Sequence, residues 1–325
     1  MPCASETGGE TSRAPLIVSA TRRADIPAHY AEWFMNRIRA GWCAVPSPFN
    51  SRQVSRVNLS PGEVAAFVFW TRDPRPLMPH LKELEALGHR FVFQFTLVEY
   101  PANLHPGMPP LTGRLEAFKR LAGCIGPERV LWRYDPIVLT DETDTGFHRL
   151  SFENICRNLA GHTRRVTVSL MEPYLKTRRR LAHAGANLLA PGDEALSALF
   201  TDMAALARKM DMEPVSCADG AGLDRLGFSP GACVDSALLE RLFGLTALGG
   251  KDSGQRSACL CAKSRDIGMY DACPAGCAYC YATRDFNRSS RAKTSHDPDS
   301  PSLLGTFEPG VERNANSDNT APVAR

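Results

Sequence analysis

AAFVFWTRDPRPLMPHLKELEALGHRFVFQFTL spans residues 65–97, and its reading decides the fold. Its ends, AAFVFW (65–70) and FVFQFTL (91–97), are nearly continuous apolar runs. A strand wetted on one face alternates apolar and polar residues, whereas an unbroken run marks a strand buried on both faces. Between the two runs, residues 76–87 carry a helical pattern. Buried strand, helix, buried strand is the repeating unit of a parallel α/β sheet.

The same alternation extends outward. PLIVSA (15–20), RVLWRY (129–134) and RVTVSL (165–170) read as further strands, with weaker candidates at CAV (43–45), EPVSC (213–217) and RDIGMY (265–270). Helical patterns occupy 28–40, 112–123, 147–160, 195–210 and 236–244. Eight candidate strands separated by helices predict an α/β fold with a full or partial TIM-like parallel barrel. A doubly wound open sheet is the alternative. The expected organisation is one domain over 15–290, with a cysteine-rich segment at about 215–281. Residues 1–14 are polar, and 291–325 are rich in Ser, Pro, Asn and Asp, so both are expected to be disordered.

Polar residues collect where the strands end. Thr21-Arg22-Arg23 and Asp25 follow the first strand, Thr71-Arg72-Asp73 the second, and Thr96 the third, which also contains Gln94. Arg133 and Asp135 end the fourth, and Ser169 and Glu172 close the fifth. Strand ends of a parallel barrel share one face, and that face carries the active site. Single residues here could simply cap the next helix. Arginine does not cap a helix N-terminus, so Arg22, Arg72 and Arg133 together predict an anionic ligand, a carboxylate or phosphate.

The 325-residue chain is 43% hydrophobic and 22% charged, as an ordinary globular protein is. Its net charge of +3, from 38 basic and 35 acidic residues, does not favour nucleic acid as a partner, nor exclude it. The N-terminus lacks a signal-like apolar segment, and no run approaches the ~18 apolar residues of a membrane helix. The expected location is cytoplasmic, with no membrane partner. Eleven cysteines in such a chain point to metal or redox chemistry rather than disulfides. No Walker loop or Gly-x-Gly-x-x-Gly fingerprint is present, and none of the eight histidines forms a His-x-His or His-Glu-x-x-His motif.

Three cysteines, Cys273, Cys277 and Cys280, fall in DACPAGCAYCYATRDF (271–286). Thiolates at this density favour soft metals. A four-iron cubane normally takes four cysteines, so three would leave one iron open. Structural zinc completed by Cys259 or Cys261 fits the spacing equally, buried free thiols fit it less well, and a non-catalytic metalloprotein is the competing class. Cys217, Cys233, Cys259 and Cys261 form a second group, suited to an auxiliary iron–sulfur cluster or to zinc.

Cys273-x3-Cys277-x2-Cys280, with Tyr279 before the last cysteine, resembles the signature of the radical S-adenosylmethionine (radical SAM) superfamily. GMYDACPAGCAYCYA resembles the cluster loop of the spore photoproduct lyase-like branch. FVFWTRDPRPLMPHL (67–81), LHPGMPPLTGRLEAFKRL (104–121) and RYDPI (133–137) are similar to segments of that branch, with Arg72 in a lysine's place. From IVSATRRADIP to the terminal cysteines, the whole chain also resembles a bacterial family known as domain of unknown function 1848, which implies no activity.

The radical SAM resemblance implies a four-iron, four-sulfur (4Fe-4S) cluster on Cys273, Cys277 and Cys280. It implies reductive cleavage of S-adenosylmethionine and a reducing electron donor of flavodoxin or ferredoxin type. Tyr279, Thr71, Arg72, Gln94 and Arg133 are then candidates for cofactor contacts, with Arg72 on the methionine carboxylate. Arg22, Arg23 and Asp25 lie outside the matched segments and are candidates for the substrate side. The substrate itself is not implied, since a shared radical-generating half does not carry one. In typical members the cysteine loop follows the first strand, and here it comes last. A circular permutation predicts that RDIGMY stands beside FVFW in one sheet.

Overall fold

The computed structural model describes residues 15–218, 222–246 and 248–310. In chain order the elements are β1 (Leu16–Ala20), α1 (Ile26–His29), α2 (Ala31–Ala40), β2 (Trp42–Pro46), β3 (Val54–Asn58), β4 (Val64–Thr71), α3 (Leu81–Ala86), β5 (Phe91–Thr96) and α4 (Leu111–Ile125). There follow β6 (Val130–Ile137), α5 (Thr145–Leu159), β7 (Arg165–Leu170), α6 (Leu175–His183), α7 (Asp193–Lys209), β8 (Glu213–Cys217), β9 (Ser229–Gly231), α8 (Ser236–Phe243), β10 (Arg265–Asp266) and α9 (Phe286–Thr294). Helix starts follow local chemistry: Asp25, Asp144, Asp235 and Asp285 each accept a first-turn amide of α1, α5, α8 and α9.

Eight strands form one sheet in the order β10-β1-β4-β5-β6-β7-β8-β9, every neighbouring pair parallel. No ladder joins the end strands β9 and β10 among the described residues. A single backbone bond from Ala262 N to Val234 O, 2.9 Å, links the segments beside them. The apolar runs owe their continuity to burial on two faces. Phe67, Phe69, Phe91, Phe93 and Phe95 pack toward the helices, against Phe34, Phe118 and Phe152. Phe69 and Phe93 lie 4.9 Å apart, an offset aromatic contact. Each such buried ring contributes roughly 1.5–3 kcal/mol. The opposite face of β4 presents small residues, and Ala66 and Val68 meet Cys233, Val234, Cys259 and Cys261. The cysteine-rich segment therefore covers the sheet's second face.

Three expectations need correction. CAV lies in β2, outside the main sheet, in an antiparallel hairpin with β3. RDIGMY contributes only Arg265–Asp266 to the sheet that contains β4, and β1 stands between the two strands. FVFW and RDIGMY are therefore not neighbours, because Ser19 and Val18 take the pairing positions beside β10. Residues 286–294 form α9, which runs into the segment expected to be disordered. Residues 291–310 are packed rather than disordered. Trp33 Nε1 donates to Ser300 O at 2.9 Å, Ala44 N to Pro301 O at 2.8 Å, and Leu303 is buried. Backbone carbonyls anchor this segment, so its low apolar content misleads. Residues 1–14 and 311–325 lie outside the described residues. Among the described residues no helix is long and apolar enough to cross a membrane.

Candidate functional site

β10 is short because Asp266 diverts its side chain onto the end of β1. The carboxylate accepts Ser19 Oγ at 3.2 Å, Arg22 N at 3.1 Å and Gly268 N at 2.8 Å, and also Thr21 Oγ1. Gly268 then lies flush on Thr21: a Cβ there would fall 2.2 Å from Oγ1 and 2.6 Å from Thr21 Cβ. The chain leaves this contact into the loop of Cys273, Cys277 and Cys280. Gly276 takes a positive φ of 77° in that loop and passes so near Pro106 that a Cβ would lie 2.9 Å from its Cγ. Four other segments hold the loop. Ala278 N donates to Leu104 O at 2.9 Å, Tyr30 Oη to Ala272 O at 2.5 Å, Ser289 Oγ to Cys273 O at 2.9 Å, and Arg180 Nη1 to Cys280 O at 3.0 Å.

Arg72 reaches this loop from the end of β4. Its guanidinium is buried and sits over the Tyr279 ring, 5.5 Å from the centroid. Burial opposes its charge, but the negative ends of Tyr279, Cys277, Cys273 and Asp25 more than compensate. Its Nη1 has no hydrogen-bond partner. Burial pushes the thiols of Cys273 and Cys277 up, and in Cys277 the Arg72 charge works against that rise. Tyr279 is itself buried between Arg72, Tyr100 and His105, with ring centroids 5.2 and 6.0 Å away for the latter two. Burial and the neighbouring cations push His105 down to about 2, so it is neutral.

A second cysteine group lies elsewhere on the strand ends. Cys217 ends β8, Cys233 follows β9, and Cys259 and Cys261 precede β10. Cys217 Sγ and Cys233 Sγ are 2.9 Å apart. The amides of Cys233 and Val234 point at Cys261 Sγ from 3.3 and 3.4 Å. Hydrogen bonding from Cys261 lowers the Cys259 thiol to about 7. All ten described cysteines are free thiols. Among the described residues no three or more His, Cys, Asp or Glu side chains are drawn together around a common metal position.

The expected site residues separate between these groups. Arg22, Arg72 and Arg133 do not converge on one anion. Arg133 donates from Nη1 to Cys233 Sγ at 2.8 Å and from Nη2 to Asp135 at 2.5 Å. Gln94 Nε2 donates to Cys233 O at 2.7 Å. Arg22 packs on Trp70 at 5.3 Å, and burial of its charge is offset by Cys261, Cys233, Asp266 and Cys259. Arg22, Gln94 and Arg133 thus serve the second cysteine group. Arg23 turns away, onto Tyr270 at 4.9 Å and Gly268 O. Asp25 caps α1 through Ala28 N and holds Arg72 N at 2.7 Å, which makes it a positioning residue. Thr71 Oγ1 accepts Asp73 N at 3.0 Å.

Asp266 and His105 lie in stretches quoted above and Tyr100 between two such stretches, but sequence reasoning singled out none of the three. The Asp266 signal was the polar end of a weak strand, and that of His105 its place in the LHPGMPP segment; Tyr100 had none. A cavity of about 470 Å³ opens at the other end of the strands, lined by Leu131, Arg165 and Glu213. Four of its charged residues are already paired, Arg165 with Glu213 (and with Asp235 beside it), and Arg164 with Asp211.

No curated protein matches the chain. A family model does. Residues 17–282 match the family described as Domain of unknown function (DUF1848), from β1 to just past Cys280. Sheet, second cysteine group and cysteine loop all fall within that span, and the chain belongs to this family.

Proposed function

We propose that this protein is a radical SAM enzyme in which Cys273, Cys277 and Cys280 hold a 4Fe-4S cluster. One observation carries the reading: the buried Arg72 guanidinium, with an unpartnered Nη1, stands beside the cysteine loop. A buried cation with a free donor is costly unless an anionic group meets it.

The residues fit the group by donor chemistry. Three thiols leave a cubane one iron short of ligands. Among the described residues, the neighbours that act on Cys273 and Cys277 offer no fourth ligating side chain. Arg72 cannot ligate, and both oxygens of Asp25 are engaged by backbone amides. When bound, such a cluster delivers an electron that cleaves the sulfonium of S-adenosylmethionine and starts hydrogen-atom abstraction from substrate.

The chain's own residues position and shield. Arg72, with its unpartnered Nη1, is the residue that would hold the methionine carboxylate. Tyr279 fixes the plane of Arg72 and, from its buried place on Tyr100 and His105, seals the loop from the core side. Asp25 sets the backbone of Arg72. Thr71 supports that turn by accepting Asp73 N. The partial-barrel reading draws support from the all-parallel sheet, in which β10, the strand that leads into the loop, pairs with β1 at one end. The reducing partner is a small electron carrier of flavodoxin or ferredoxin type. The modest charge leaves nucleic acid unsupported as substrate.

Electron paramagnetic resonance tests the reading. In anaerobically reconstituted, dithionite-reduced protein, added S-adenosylmethionine should shift the cluster signal, and Arg72→Met should weaken that response. A signal indifferent to S-adenosylmethionine sinks the proposal and leaves a structural metal site.

A further inference from the structure

The second cysteine group has a chemistry that the proposed radical function does not use. Its four members come from three places in the chain, and the fold gathers them where the sheet is unclosed. Cys217 and Cys233 flank β9 at one end of the sheet, while Cys259 and Cys261 immediately precede β10 at the other. Across that gap the contacts are Ala262 N to Val234 O, and the two amides that point at Cys261 Sγ.

Two features call for anionic sulfur here. A neutral thiol is a weak acceptor. Yet Cys261 Sγ receives two backbone N–H groups, and Cys233 Sγ receives Arg133 Nη1 at 2.8 Å. Two arginines, Arg22 and Arg133, are buried against the group. Arg22 Nη2 lacks any partner, as do Gln94 Oε1 and Ser216 Oγ nearby. Arg133 has the Asp135 carboxylate and Arg22 lies near Asp266, but neutral thiols add nothing further against these buried charges or the unpartnered Arg22 Nη2. Four thiolates around a divalent soft metal, or around an oxidised four-iron cluster, carry a net charge of about −2, which two arginines offset.

We infer that Cys217, Cys233, Cys259 and Cys261 form a second, closed thiolate metal site, a zinc ion or an iron–sulfur cluster, that staples the two ends of the sheet together. Its four protein ligands leave no open coordination position, so its role is structural. Loading requires the thiols to rearrange, since among the described residues no three of them yet share a metal position. Cys217 and Cys233 are 2.9 Å apart. Zinc with arms of ~2.3 Å needs an edge of about 3.8 Å, so that pair opens by roughly 0.9 Å on zinc binding.

The test removes the other cysteine group first. Full-length protein carrying Cys273→Ser, Cys277→Ser and Cys280→Ser is purified anaerobically in two arms, one loaded with zinc and one reconstituted with iron and sulfide. Elemental analysis should find about one zinc or one iron–sulfur cluster per chain in one arm, which also tells the two sources apart. Cobalt substitution should give the intense thiolate-to-metal absorption of a four-sulfur site. Chelation should lower the Tm of the same protein, and re-addition of the metal should restore it. Adding Cys233→Ser and Cys261→Ser should abolish binding; the chelation series carries the test should that variant not fold. A metal-free protein in both arms overturns the inference. So does a Cys217–Cys233 disulfide in the anaerobic protein, or a Tm indifferent to chelation. None of these outcomes depends on the radical function, because its three cysteines are absent.

Discussion

Gly268→Ala probes the contact that aims the cysteine loop. An alanine Cβ would lie 2.2 Å from Thr21 Oγ1, 2.3 Å from Cγ2 and 2.6 Å from Cβ. Carbon atoms sit comfortably at about 3.5–4.0 Å, so the two segments must part by roughly 1 Å. Thr21 cannot swing aside. It is fully buried, and its Oγ1 is engaged by the Asp266 carboxylate. The parted segments are β1 and the root of the loop, so the strain falls on the β1–β10 pairing. Overpacking of this kind costs about 1–3 kcal/mol, and a clash with a Cβ belongs at the upper end, about 3 kcal/mol. At about 2 °C per kcal/mol for a chain of this size, the Tm should fall by about 6 °C. Urea titration followed by circular dichroism measures the loss. Gly249→Ala, whose Cβ would meet Lys263 at an ordinary 3.8 Å, serves as control. Thr21→Gly removes all three clashing atoms, so the double variant should lose less than the sum of the singles. Gly268→Ala within about 0.5 kcal/mol of wild type would refute the reasoning.

Further expectations concern the same framework. Gly276→Ala forces a left-handed backbone on alanine and crowds Pro106, and should cost about 1–2 kcal/mol in the same titration. Asp266→Ala strips the acceptor from two backbone amides and two hydroxyls, and should cost about 3 kcal/mol. Arg72→Met should weaken S-adenosylmethionine binding at least about tenfold, or ~1.4 kcal/mol, by equilibrium dialysis, with stability unchanged or raised. Burial lowers His148 to about 4, so between that pH and 6.5 the unfolded chain binds one more proton than the folded one. Stability from this group is complete above pH 6.5 and falls with acidification, by up to about 3 kcal/mol at pH 4. His148→Gln should flatten that slope by about one proton.

The helix-facing sheet was legible because burial on both faces writes continuous apolar runs. Phe67, Phe69, Phe91, Phe93 and Phe95 are such a signal. β9 was not legible, since Ser229–Gly231 pairs through backbone alone and lies against Val215, where a Cβ on Gly231 would fall 1.9 Å from Cγ1. Cysteine spacing along the chain drew attention to both thiol groups, but spacing is silent on which arginine faces which group. That depends on side-chain parity: Arg133 lies on the same face as Leu131 and shares Cys233 with Gln94, while Arg72 lies past the strand and turns to Tyr279. The packed segment at 295–310 escaped notice because it is held by carbonyls, which composition does not report.

The most direct measurement is formation of 5′-deoxyadenosine by the reconstituted, reduced protein incubated anaerobically with S-adenosylmethionine. The account predicts 5′-deoxyadenosine and methionine from the wild type, none from Cys277→Ala, and retained cleavage in Cys259→Ala. No 5′-deoxyadenosine from protein that carries its iron and sulfide, or equal amounts from wild type and Cys277→Ala, would contradict it.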